Sequence, residues 1–165
     1  MGEKSRSGCP INVAVEVLGD RWSLVVLRDI IFKDLRHFRE LQRDSEEGIA
    51  SNILASRLRD LVAAGLLTRD DVGAGRRATY SLTAAAIELV PVLAELAWWG
   101  LRHRPTDAPL RARAELLHHG GPEMWQEFMD ELRERHLGIR KPDTRGPSVT
   151  ERLDAAYAEV VGTGQ

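Results

Sequence analysis

The residues best suited to chemistry fall in four places. In the stretch 50–64 stand Ser51, Asn52, Ser56, Arg57 and Arg59. Stepping around a helix at about 100° per residue puts Asn52, Ser56, Arg59 and Ala63 on one stripe, with Arg57 at its flank. Leu54, Leu58, Leu61 and Val62 fall on the opposite face. An Asn amide can pair with an adenine edge, a Ser hydroxyl bonds base or phosphate, and a guanidinium fits guanine or phosphate. Arg76 and Arg77 follow a Gly73-Ala74-Gly75 tip, where two cations suit phosphate contact or entry into a minor groove. Arg36 is a further phosphate candidate. Cys9 stands immediately before Pro10, at the expected start of a helix, where free N–H groups and the helix dipole favour an anion.

Each group also has a plain alternative. Polar residues on a helix more often form a solvated face. Two arginines on a hairpin also suit a merely soluble turn. Cys9 reads equally as a thiol that senses oxidants and as a cap without redox use. It is the only cysteine, so oxidation leaves an intersubunit disulfide, a mixed disulfide or an adduct. His118 and His119 are adjacent and point about 100° apart on a helix, so they read as surface histidines rather than metal ligands. No nucleophile-plus-base motif, phosphate-binding loop or dinucleotide fingerprint is legible, and neither an enzyme nor a cofactor is expected.

The elements that must position these residues are mostly helical. Pro10 opens a first helix, which Gly19 stops. Arg21 to Phe32 reads as a second helix, with Trp22 in the core; Phe38 to Arg43 as a short third; and Ala50 to Ala64 as a fourth. Ser45-Glu46-Glu47-Gly48 reads as a turn. The period then changes: Leu67–Val72 and Arg77–Leu82 read as two strands of a hairpin. Thr83 caps a long helix to Gly100, which Pro91 should kink or restart. Its Trp98 and Trp99 suit packing against the body or across a two-fold axis. In the tail, Arg111–His119 and a helix from Pro122 to Gly138 are separated by Gly120-Gly121. Ser148 and Glu151 have the spacing of a capping box for a last helix.

Composition sets few further bounds. Hydrophobic residues make up 43% and charged residues 29% of the 165, ordinary for a globular protein. The net charge of −2 does not advertise a nucleic-acid binder. Residues 1–104, however, hold 15 Lys and Arg against 14 Asp and Glu, so the acidic excess lies in the tail. No apolar run of membrane-spanning length and no signal-peptide core stands out, so the cytoplasm is expected and a membrane partner is not.

With these elements in place, an ordered set of short motifs emerges. They are Cys9-Pro10, Leu18-Gly19-Asp20-Arg21-Trp22, Leu27-Arg28-Asp29, Arg36-His37-Phe38-Arg39-Glu40-Leu41, Gly48-Ile49, Leu58-Arg59-Asp60-Leu61, Gly65-Leu66, Tyr80-Ser81-Leu82-Thr83 and Trp99-Gly100. Over residues 9–101 this set resembles the HxlR-type transcription regulators, relatives of the MarR winged-helix group. Two departures are visible. This chain has Asp20-Arg21 where the family often has a lysine before the tryptophan. It also has Ala50 where the family often has a capping serine, a role Ser51 could take over.

The resemblance implies a homodimer that binds double-stranded operator DNA and performs no catalysis. The expected fold is mainly α with a small β-hairpin: a winged helix-turn-helix domain over 9–104 and a C-terminal helical extension over 105–165. The fourth helix is expected to read sequence through Ser51, Asn52 and Ser56, with Arg57 and Arg59 reaching phosphate or guanine and Arg36, Arg76 and Arg77 contacting phosphate. Cys9 is the redox candidate, and an oxidant or small molecule is the candidate effector. Two rivals remain. One is a winged-helix module that binds protein. The other is a regulator whose tail forms an effector pocket around Trp125, Phe128 and Met129.

Overall fold

The computed structural model describes residues 7–71, 77–143 and 146–163. The chain divides into two compact units, one up to Ala86 and one from Ile87 onward.

The first unit begins with α1 (Pro10–Leu18), with Cys9 at its N-cap and Pro10 in its first turn. None of its residues is buried. The second helix, α2 (Arg21–Lys33), is capped by Asp20, whose carboxylate accepts from the backbone N–H groups of Trp22 (2.9 Å) and Ser23 (3.0 Å). A short α3 (Phe38–Asp44) leads through a turn to α4 (Ser51–Ala63). Val26, Leu27 and Ile30 of α2, Leu41 of α3, and Leu54, Leu58 and Leu61 of α4 are each at most 2% exposed and form this unit's core. Burying each such side chain contributes about 1.5–3 kcal/mol. The antiparallel hairpin of β1 (Leu67–Asp70) and β2 (Thr79–Leu82) pairs Leu67 with Leu82, and both turn into that core. Beside β2, Tyr80 donates its backbone N–H to Arg36 O at 2.8 Å, tying the segment before α3 to the wing.

The next stretch is two helices, the restart expected at Pro91. Thr83 Oγ1 accepts from Ala86 N at 3.3 Å and caps α5 (Ala84–Ile87), as expected. The chain then restarts as α6 (Val90–His103), with Pro91 in the first turn, where its missing N–H costs nothing. One expectation is corrected here. Within the 20 residues Ala84–His103, an 18-residue window has mean hydropathy 1.5, long and apolar enough for a membrane crossing by length and composition alone. Glu88 and Glu95 interrupt the run and hide it from a search for unbroken apolar stretches.

In the second unit, α6 packs on α7 (Ala108–Leu137), and α7 on α8 (Val149–Thr163). The break expected in the tail lies inside α7, where Gly121 has φ 60° and ψ −159° before Pro122. Gly138, at φ 69°, ends the helix in the left-handed region that favours glycine. The capping box of α8 forms: Ser148 N donates to Glu151 Oε2 at 2.7 Å, and Glu151 N to Ser148 Oγ at 3.1 Å. Glu131, only 6% exposed, reaches across from α7 and accepts from Val149 N at 2.5 Å and Thr150 N at 3.2 Å. Phe128 is buried, and Trp125 and Met129 are half-buried.

Two local expectations fail. Trp22, expected in the core, is half-buried; the Arg21 guanidinium lies 4.8 Å from its ring centroid. Neither Ser51 nor any other side chain caps α4: Ala50 is its N-cap and Ser51 its first residue. The reason is the backbone, which is already helical at Ser51 and extended only at Ala50.

Candidate nucleic-acid interface

The site is built on α4. Leu54, Leu58 and Leu61 recur at helical spacing and bury one face, which forces the opposite residues outward. Ser51, Asn52 and Arg59 are exposed, and their side chains hold no ion pair or hydrogen bond among the described residues. Ser56 is half-buried, its hydroxyl 3.4 Å from Asp60 Oδ2. Arg57, at the flank, is engaged: its guanidinium lies 3.2 Å from Asp20 Oδ2 and 2.7 Å from Asp60 Oδ2.

Asp20 therefore joins two helices. It caps α2, accepts a short hydrogen bond from Ser23 Oγ and pairs with Arg57 of α4. Burial pushes its carboxyl up, but the Ser23, Arg57 and Trp22 hydrogen bonds together hold it below the ordinary range. The pair lies in an open cleft of roughly 450 Å³ whose walls include Val15, Ser23 and Leu61.

On the wing, Arg77 is exposed and without a side-chain partner among the described residues. Arg76 and the tip residues 73–75 lie outside the described residues. Arg36 sits differently from a phosphate contact. Its Nε donates to Tyr80 O at 3.2 Å and its Nη2 to Ser81 Oγ, so it fastens the wing to the entrance of α3. His37 adds a second tie, its Nδ1–H donating to Ala78 O at 3.1 Å.

By sequence, Glu46 and Glu47 are only turn residues, yet both are pinned to α2. Arg28 forms a fork with Glu47, Nη1 to Oε1 at 2.5 Å and Nη2 to Oε2 at 2.8 Å. The same guanidinium holds Asp29 Oδ1 at 2.7 Å, and Lys33 holds Glu46 at 2.8 Å. The Arg28 hydrogen bonds hold the Glu47 carboxyl down to about 2, whereas burial pushes Asp29 up. The only sequence signal was the clustering of opposite charges in Arg28-Asp29 and Glu46-Glu47, and their separation hid the pairing.

Cys9 is exposed, and its backbone N–H donates to Ser7 Oγ at 3.1 Å. His118, 24% exposed, stacks on Trp98 with ring centroids 4.0 Å apart, and its Nδ1 lies 3.4 Å from Glu95.

Four helices followed by a two-stranded wing, with a polar outward face on the last helix, define a winged helix-turn-helix regulator of transcription. The chain belongs to the HxlR-like helix-turn-helix family, whose model matches residues 17–108. An uncharacterised HTH-type transcriptional regulator of Mycobacterium tuberculosis H37Rv is 36% identical over 109 residues, covering 64% of this chain and 67% of the relative. Another, from Synechocystis, is 40% identical over 86 residues, 52% of this chain and 62% of that protein. The crystal structure of PA1607, a candidate transcription factor, superposes with a TM-score of 0.56 at 34% identity, covering 62% of this chain and 70% of the other. A candidate MarR-family regulator from Porphyromonas gingivalis W83 superposes at 0.51 with 25% identity, over 62% and 99%. These are transcription regulators, a class without catalysis, and this chain is not an enzyme.

Proposed function

We propose that this regulator binds operator DNA as a homodimer through a domain spanning 9–104, with residues 105–165 as a helical extension. The observation that carries the reading is the outward face of α4, where Ser51, Asn52 and Arg59 are exposed and, among the described residues, unpaired, opposite a fully buried leucine face. In a major groove, Ser51, Asn52 and Ser56 read base edges and Arg59 grips phosphate. Arg76 and Arg77 of the wing add phosphate contacts. Arg36, bonded to neutral oxygens, contributes mainly positive field, whereas Arg57 must first leave Asp20 and Asp60 to reach DNA.

Two unpartnered apolar surfaces support the dimer. In α1, Ile11 is 75% and Val15 56% exposed; in α6, Val92, Leu96 and Trp99 are all near 50% exposed and recur at helical spacing. Apolar exposure of this kind marks association surfaces, and a second copy of a symmetric regulator is the fitting occupant.

The test is selection of duplexes from a random pool by the full chain, followed by titration of the enriched duplex and a scrambled one. Enrichment of a two-fold symmetric sequence, with a sedimentation mass near twice 18.4 kDa, is the expected result. No enriched sequence overturns the reading. A second reading, oxidant control, is favoured by the exposed Cys9 at the N-cap of α1. It requires that Cys9→Ser abolish any oxidant-induced change in operator affinity.

A further inference from the structure

The recognition helix has an unusual start. Its N-cap, Ala50, has no side chain that can accept a hydrogen bond, so no side-chain cap fixes where α4 begins. The chain reaches it through Gly48, at φ 65°, and Ile49, which is 4% exposed. The firmest polar hold on this turn is Glu47, four residues before Ser51. Its carboxylate is gripped by both outer nitrogens of Arg28 at 2.5 and 2.8 Å, and accepts weakly from Ser45 Oγ at 3.4 Å. Arg28 is itself fixed: its Nε and Nη2 hold Asp29 Oδ1 at 3.0 and 2.7 Å, and Asp29 is 1% exposed. Lys33, one turn further along α2, takes Glu46 at 2.8 Å. The turn is thus bolted to a buried anchor in α2.

We propose that Arg28 is a positioning residue for sequence readout: by gripping Glu47 it sets the pose of the N-terminal turn of α4, and with it Ser51 and Asn52. This rests on the reading of α4 as the base-reading helix. Three physical points carry it. A bidentate guanidinium–carboxylate pair fixes orientation as well as distance, which a single ammonium contact does not. The pair is a quarter to a third exposed, so it contributes to folding, and its two-point geometry also fixes the turn that leads into α4. Base-edge hydrogen bonds tolerate only about half an ångström of misplacement, whereas contacts from long arginines to phosphates tolerate more. Loosening the grip therefore damages discrimination before it damages general affinity.

The test uses the full chain, a duplex enriched from a random pool by the wild type, and a scrambled duplex of the same composition. Arg28→Lys keeps a cation beside buried Asp29 but loses the fork. Glu47→Gln keeps the shape but loses the charge. Each is expected to reduce the ratio of enriched to scrambled affinity at least about tenfold, with scrambled affinity and its salt slope unchanged. The double variant is expected to lose no more than the worse single, because both act through one interaction. A purely structural role predicts instead equal losses on both duplexes that follow the fall in melting temperature, leaving the ratio intact. An unchanged ratio, or additive losses, overturns the proposal. If the wild type enriches no sequence, the DNA reading itself fails and takes this proposal with it. A discriminating wild type with equally discriminating variants refutes this proposal alone.

Discussion

Trp125 donates its indole Nε1–H to the backbone carbonyl of Leu117 at 2.8 Å, bridging the break that Gly121 and Pro122 make in α7. Pro122 has no N–H to give, and Gly121 leaves the helical region, so the ladder is interrupted there. The indole supplies a donor across the gap. Trp125→Phe keeps most of the apolar packing and removes only the donor. It should cost about 1 kcal/mol of stability, the usual worth of such a bond. Urea denaturation followed by circular dichroism reads this; an unchanged midpoint would show that the bridge contributes nothing.

Asn52 and Ser56 lie one turn apart on α4, and neither contributes to its buried leucine face. Replacing both with Ala should change folding stability by less than about 0.5 kcal/mol. Discrimination between selected and scrambled duplexes should fall by about 1–3 kcal/mol for each base pair that is no longer read. Paired titrations at one salt concentration decide it, and retained discrimination would remove this stripe from the readout.

Arg77 offers from the wing a guanidinium without a partner among the described residues. Arg77→Ala should weaken binding to selected and scrambled duplexes alike. It should also flatten the plot of log affinity against log salt by about one unit per phosphate no longer neutralised. An unaltered slope would place this residue away from the backbone of the DNA.

Leu96 is 48% exposed on the apolar stripe of α6. Leu96→Glu puts a charge where a second copy would have to desolvate it, while leaving the unit's interior untouched. Sedimentation should move from near twice the chain mass toward 18.4 kDa. A variant that stays dimeric at micromolar concentration would exclude this stripe from the interface.

Acid should act through Glu47. Its folded carboxyl, near 2, lies below the ordinary 4.5, so its stabilisation is complete above about 4.5 and is lost as pH falls toward 2. Asp29 runs the opposite way. Burial raises it, so protonation on acidification relieves a cost and offsets part of the loss. Glu47→Gln removes the first effect and keeps the second. The melting temperature of the wild type should therefore drop more between about pH 5 and pH 2.5 than that of the variant. Equal drops would mean that the Arg28–Glu47 pair does not stabilise the fold.

Local chemistry was legible in the chain. Leucines at helical spacing defined the buried face of α4 and hence its outward stripe. Thr83 and the Ser148/Glu151 pair announced their helices because a cap acts within three residues. Pro91 and Gly120-Gly121 marked the restarts correctly, since both act through their own backbone. The motif order over 9–101 carried the family.

Tertiary structure decided the partners of the charged residues. The sequence cannot say that Arg36 turns back onto β2, that Arg57 is shared by Asp20 and Asp60, or that Arg28 reaches Glu47 nineteen residues away. Nor can it say that Trp22 stays half-buried, or that Trp125 spends its N–H on Leu117 rather than on a neighbour outside its helix. The physical reason is range. Periodicity and capping are set by residues within a turn or two of each other. A long guanidinium or indole, by contrast, can reach several acceptors, and which one it takes depends on how whole helices pack.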